Sequence, residues 1–226
     1  MPRITDERRG ARRAQVLEAA RLCLQEHGLE AVSMEMIIAR SGLSTGAVYG
    51  YFKGKDDIIN AVVTDGTAAM GRQLIPILND PEPPPLPQFA EHLLSTIADF
   101  GREKPGGIDR LLVSLHGWSH SQSDPGLKET TRTAYRRQRE LLAETVRRWQ
   151  AAGNFDPGAD PGEVAELLQS ILLGFVAQRA LAGDADVQAH ARALDVLTRG
   201  CRADWHVGGV GHGEQPNTDH RGARHH

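Results

Sequence analysis

Hydrophobic positions recur three and four apart along nearly the whole chain, with glycine and proline as punctuation. Arg12–His27 places Val16, Ala20, Cys23, Leu24 and His27 on one face and is closed by Gly28. Met34–Arg40 follows a capping Ser33, turns Met34, Ile37, Ile38 and Ser41 inward, and ends at Gly42. Ser44 then caps a short segment, Thr45–Phe52, with Val48 and Phe52 inward and Thr45, Gly46, Tyr49 and Gly50 outward. A longer helix is predicted from Lys55 to about Leu78, kinked or ended by Pro76. Pro81–Pro87, PEPPPLP, reads as a stiff extended linker. From Gln88 a helix carries Phe89, Leu93, Ile97 and Phe100 and stops at Lys104–Gly107. Ile108–Ser121 follows, then a long charged helix through Ala152 that holds Tyr135, Leu142, Val146 and Trp149. Glu163–Ala182 and Val187–Ala203 are the last two. No segment sustains period-two alternation, so the predicted class is all-α.

The stretch Ser33–Lys55 departs from ordinary core patterning, because its second helix is short, polar and aromatic on the outward side. Two short helices joined by a glycine turn form a helix-turn-helix, whose second helix enters the DNA major groove. Thr45 suits base edges, and Gly46 lets the helix N-terminus approach a duplex closely. Tyr49 and Tyr51 offer hydroxyls to phosphates, and Lys55 adds a charge. A helical hairpin with half-buried tyrosines would carry the same pattern.

The segment GLSTGAVYGYFKGKDDII resembles the recognition-helix signature of the TetR family of one-component transcriptional regulators. The signature positions hold Gly42, Leu43, Ser44, Gly46, Tyr49, Tyr51, Phe52 and Lys55, and the preceding helices keep Gly28 and Ser33. Ile38 and Ser41 stand where the family usually has alanine, and Gly50 provides no side chain where a larger one is common. The resemblance spans about residues 8–60. It implies an N-terminal three-helix DNA-binding domain and a C-terminal helical domain for ligand binding and dimerisation. The expected division is 1–54 (basic arm and helix-turn-helix), 55–204 (ligand and dimer domain) and 205–226 (a disordered Gly- and His-rich tail). Ser33, Ser44, Thr45, Gly46, Tyr49, Tyr51 and Lys55 are the expected DNA-binding residues.

Composition adds boundaries. At 226 residues, 40% apolar and 24% charged, the chain can build a sizeable core. The net charge of −3 argues against general adhesion to nucleic acid. Residues 1–13 nevertheless hold five arginines against two acids, a local +3, while 14–55 balance at four of each. Basic charge is thus concentrated in an arm preceding the first helix, a candidate phosphate contact. There is no run of ~18 apolar residues and no signal-peptide pattern, so the expectation is a cytoplasmic protein without membrane partners. Cys23 and Cys201 are far apart, and Cys23 lies on an apolar face. With no phosphate loop, nucleophile elbow or His-Glu-x-x-His, no enzyme activity and no cofactor are expected.

Glu163–Ala182 is apolar around more than half its circumference, which marks either a domain centre or an oligomer interface. The resemblance assigns the last two helices to a homodimer, with Val164, Leu168, Ile171, Leu172, Phe175, Leu194 and Leu197 at the contact. The helices between would enclose a site for a small hydrophobic effector, lined by Phe100, Leu112, Leu115, His116, Trp118, Tyr135, Trp149 and Gln178. His116 and His120 are four apart, but no further ligand joins them and no metal site is expected. The functional expectation is a repressor released by its effector from a palindromic operator on double-stranded DNA. An all-α dimeric binding protein that has lost specific DNA binding is the alternative, favoured by Gly50 and the near-neutral 14–55 segment.

Overall fold

Capping side chains set several of the helix starts. The computed structural model describes residues 6–101 and 109–203, with backbone only for 199–203. Among them are nine helices and no β-strand: α1 (Asp6–Ala31), α2 (Met34–Ser41), α3 (Thr45–Tyr49), α4 (Lys55–Leu78), α5 (Leu86–Gly101), α6 (Arg110–Ser121), α7 (Pro125–Ala151), α8 (Pro161–Leu181) and α9 (Val187–Ala203). Ser33 accepts from Met36 N at 3.3 Å, Ser44 from Ala47 N at 3.3 Å, Asp124 from Leu127 N at 2.7 Å and Asp160 from Glu163 N at 2.9 Å. Each satisfies a donor that the first helical turn leaves without a partner. Gly42 ends α2 in the left-handed region at φ 65°, where a side chain would be strained.

The structure differs from the sequence pattern at several ends. α1 begins at Asp6, six residues before the expected start, with Asp6 and Glu7 in its first turn favouring the positive end of the helix dipole. Arg8, Arg9, Arg12 and Arg13 therefore stand on exposed helix rather than in an extended arm, while Arg3 lies outside the described residues. α3 stops at Tyr49, and Phe52 reaches the core through a turn in which Tyr51 N and Phe52 N both donate to Val48 O. α4 continues through Pro76 to Leu78 at the loss of the one ladder bond that Pro76 cannot donate, and Asn79 N still donates to Ile75 O at 2.9 Å. The proline segment gives way to α5 at Leu86, because Pro87 falls in the first turn, where no N–H is needed. The Lys104–Gly107 stop, Trp205 and the tail 205–226 lie outside the described residues, as does the Cys201 side chain.

Two buried clusters organise the chain. One joins Val16, Leu17, Ala20 and Leu24 of α1 to Ile37, Val48 and Phe52, and closes on Ile58, Ile59 and Val62 of α4. The other gathers Leu74 and Leu78 of α4 with α5, α7 and α8 around Phe89, Leu142, Trp149 and Phe175. α4 feeds both, so it is one rod common to the two cores. α7 lies beside it in the same direction: Asn60 donates to Asp124 at 2.9 Å near one end, and Thr145 donates to Leu78 O at 3.2 Å near the other. Trp149 donates to Pro84 O at 2.9 Å and meets Phe89 edge-on at 5.0 Å, which anchors the proline segment on α7. Among the described residues α8 alone is long and apolar enough to cross a bilayer by composition. Its inner face packs Ala165, Leu168, Leu172 and Phe175 into the protein.

Candidate DNA-binding face and interior cavity

The helix-turn-helix presents a small polar surface. Ser44, Thr45, Gly46 and Tyr49 are exposed, Tyr49 to 50%, and nothing lies within 4 Å of where a Gly46 Cβ would stand. Val48 and Phe52 are buried beneath them. A duplex could therefore approach the start of α3 without moving a side chain. The other candidates are engaged locally. The Ser33 hydroxyl caps α2, and its bond to Glu35 is the main reason that carboxyl is held below the usual range. Tyr51 packs against the core, and Lys55 Nζ donates to Leu29 O at 3.4 Å, tying the start of α4 to the end of α1. Arg13 lies over the Phe52 ring at 5.4 Å, a contact between the basic start of α1 and the end of the recognition element. Arg40 pairs with Glu26 through both terminal nitrogens, which keeps the Glu26 carboxyl low and neutralises the arginine nearest the turn.

A cavity of about 530 Å³ lies between α4, α5, α6, α7 and α8, with Arg21 of α1 at its edge. This is within the range of about 300–1,000 Å³ usual for small-molecule sites. Met70, Leu74, Phe100, Leu111, Trp118 and Leu141 supply apolar wall. Tyr135 is a half-buried polar group on the wall. Burial pushes its hydroxyl up to about 12, against a smaller opposing effect of a hydrogen bond with Trp118, so it stays protonated and neutral near pH 7.

Of the residues expected at this site, Phe100, Trp118 and Tyr135 stand on the wall, and Leu112, Leu115, His116, Trp149 and Gln178 do not. Trp149 is 2% exposed in the core, stacked near Phe155 and bonded to the proline segment. His116 faces the Gly28 break in α1, and Gln178 is exposed on α8. Sequence reasoning missed the α4 wall altogether. Its residues Gly66, Thr67, Ala68 and Gly71 are small, and that run was the available signal that α4 leaves space beside it. Thr130, Thr131, Arg137 and Gln138 of α7 were also missed, as were Arg110, Leu111 and Ser114 of α6.

The expected dimer residues also divide. Leu168, Leu172 and Phe175 are 7%, 4% and 0% exposed inside this protomer, so they are core. Val164, Ile171 and Leu194 are half-buried, and Leu197 is 65% exposed. Among the described residues, the exposed large apolar side chains of these helices are Leu167 and Leu181 on α8 and Val196 on α9, together with the expected Leu197. The sequence could not separate the faces because α8 is apolar on both.

Residues 16–62 match the family model for bacterial regulatory proteins of the tetR family. Residues 89–208 match the C-terminal model of BetI-type transcriptional repressors. The HTH-type transcriptional repressor Rv1474c of Mycobacterium tuberculosis is 24% identical over 207 residues, covering 89% of this chain and 99% of the relative. A transcriptional regulator of Pseudomonas aeruginosa PAO1 shares the fold at a TM-score of 0.67 and 21% identity, covering 89% of this chain and 93% of that one. SmeT in complex with triclosan has a TM-score of 0.61 at 24% identity, covering 79% of this chain and 85% of the other.

Proposed function

Because this chain belongs to the TetR family of DNA-binding transcriptional regulators, we propose that it is a homodimeric repressor displaced from a palindromic operator by a small effector. The observation that carries this is the span of α4. The helix starts at Lys55, directly after the recognition element, and from Val62 to Leu78 it forms one wall of the cavity. Anything that moves this wall moves the base of the helix-turn-helix with it. A differential affinity of ~1–3 kcal/mol between two positions of α4 would change DNA affinity about 5–150-fold.

In this reading Ser44, Thr45, Gly46 and Tyr49 face the major groove, with Lys55 and Ser33 fixing the helix that carries them. Leu167, Leu181, Val196 and Leu197 meet their symmetry mates, and Val164, Ile171 and Leu194 border the contact. The dimer holds two recognition helices about 34–36 Å apart, one turn of DNA. Residues 1–54 act as the DNA-binding unit and 55–204 as the sensor. SmeT has been solved with triclosan, which agrees with an effector site within this fold.

The test is a gel shift with the DNA upstream of the chain's own reading frame, with and without candidate effectors. Tight, salt-sensitive binding to one two-fold symmetric site is expected, and Thr45→Ala should relax its sequence preference. Binding without sequence preference, equal for the native chain and Thr45→Ala, would favour a binding protein that no longer reads an operator.

A further inference from the structure

We infer that the effector is an amphiphilic anion, an apolar body ending in a carboxylate or similar oxyanion that is held between Arg72 and Arg137 at the cavity rim. This rests on the reading of the cavity as the effector site.

The charged side chains on the wall are all of one sign. Arg21, Arg72, Arg110 and Arg137 line it, and no aspartate or glutamate among the described residues does. Their existing partners decide which are available. Arg21 is buried and already meets Glu18 at 3.3 Å and Asp65. Arg110 lies over the Phe100 ring at 5.1 Å. That contact blocks an aromatic face that a cationic ligand would otherwise use. Among the described residues Arg137 pairs with Glu140 alone, at 3.2 Å between two side chains each 65% exposed. A pair so open to water is weak and readily exchanged. Arg72 is exposed and makes no ion pair among the described residues.

These last two stand at one level. α4 and α7 run side by side in the same direction, joined at Asn60–Asp124 and again at Leu78–Thr145. Arg72 lies ~18 Å along α4 from the first tie and Arg137 ~20 Å along α7 from the same tie, at 1.5 Å per residue. Two exposed guanidiniums from neighbouring helices thus line the cavity at one level along the helix pair, beside the apolar wall of Leu74, Phe100 and Leu141. An oxyanion between two arginines gains charge-assisted hydrogen bonds that neither an alcohol nor an amine can make. It also links α4 to α7 about 25 Å along α4 from its start beside the helix-turn-helix.

The test compares decanoate, 1-decanol and decyltrimethylammonium, which share one apolar chain and differ in head charge. Binding to the full-length dimer is followed by Trp118 fluorescence and calorimetry. Decanoate should bind at least about tenfold more tightly than decanol, and decyltrimethylammonium more weakly than both. Arg72→Gln with Arg137→Gln should reduce decanoate to the level of decanol and leave decanol affinity unchanged, which also shows that the variant is folded. If decanol binds as well as decanoate, or the double variant keeps the preference for decanoate, the anion assignment is overturned while the effector cavity stands. If none of the three binds, the cavity reading fails and the inference fails with it.

Discussion

Gly117 is where α6 crosses α4, and replacing it by alanine tests how tightly the two helices are joined. An alanine Cβ there would stand 2.8 Å from Val63 Cγ2 and 3.2 Å from Val63 Cγ1. Comfortable carbon contacts are about 3.5–4.0 Å. Val63 is β-branched on a helix, so it has one strongly preferred rotamer and cannot swing aside. Alanine gains roughly 1 kcal/mol of helix propensity over glycine, while overpacking costs about 1–3 kcal/mol. The clash should win, for a net loss of up to about 2 kcal/mol. Gly66 on α4 is the control, since a Cβ there meets nothing within 4 Å. Gly66→Ala should therefore stabilise by ~0.5–1 kcal/mol. For a gap of ~2 kcal/mol the two variants would differ by roughly 4–8 °C in Tm for a chain of this size. The assay is thermal and urea unfolding at one fixed protomer concentration, because stability of the proposed dimer would depend on it. Val63→Ala should cost less in the Gly117→Ala background than in the native chain, a coupling that a double-mutant cycle reads directly. The reasoning is refuted if Gly117→Ala stabilises as much as Gly66→Ala, or if Val63→Ala relieves nothing.

Other outcomes follow from the same geometry. Leu167→Asp and Leu197→Asp should give folded monomers in sedimentation, whereas Leu168→Asp should lose at least ~3 kcal/mol of stability by placing a charge in the protomer core; folded dimers in the first two would put the interface elsewhere. Trp118→Phe should abolish the fluorescence response to effector and Trp149→Phe should retain it, since only Trp118 is on the cavity wall; the reverse would misplace the site. Asp124 is held below its ordinary value of 3.8, first by the Leu127 N–H and then by Asn60, so its stabilisation is full above that value and lost as pH falls through its lower folded pKa. Asp124→Ala should thus be less stable than the native chain in urea at pH 7, with the deficit shrinking on acidification, and a deficit that persists unchanged in acid would point to a cause other than the carboxylate.

Local rules were strong enough to read the helices from residue types alone. Ser33, Ser44, Asp124 and Asp160 satisfy orphan backbone donors wherever the chain goes next, and Gly42 offers a left-handed residue at no steric cost. The spacing of Val16, Ala20, Ile37, Val48 and Phe52 likewise determined which sides face inward, and the motif from Gly42 to Lys55 carried the family. These features depend on neighbours within one or two turns. What depended on distant neighbours was not legible. α8 has apolar residues on two faces, and only its packing in the cluster with α5 and its neighbours shows that Leu168, Leu172 and Phe175 belong to the core while Leu167 and Leu181 face out. Trp118 and Trp149 look alike in sequence, yet one borders a cavity and the other fills a core. The cavity itself is space that side chains leave uncovered where five helices diverge, so no single segment encodes it. Periodicity says which face of a helix avoids water; only the tertiary arrangement decides whether that face meets its own chain, a second copy or a ligand.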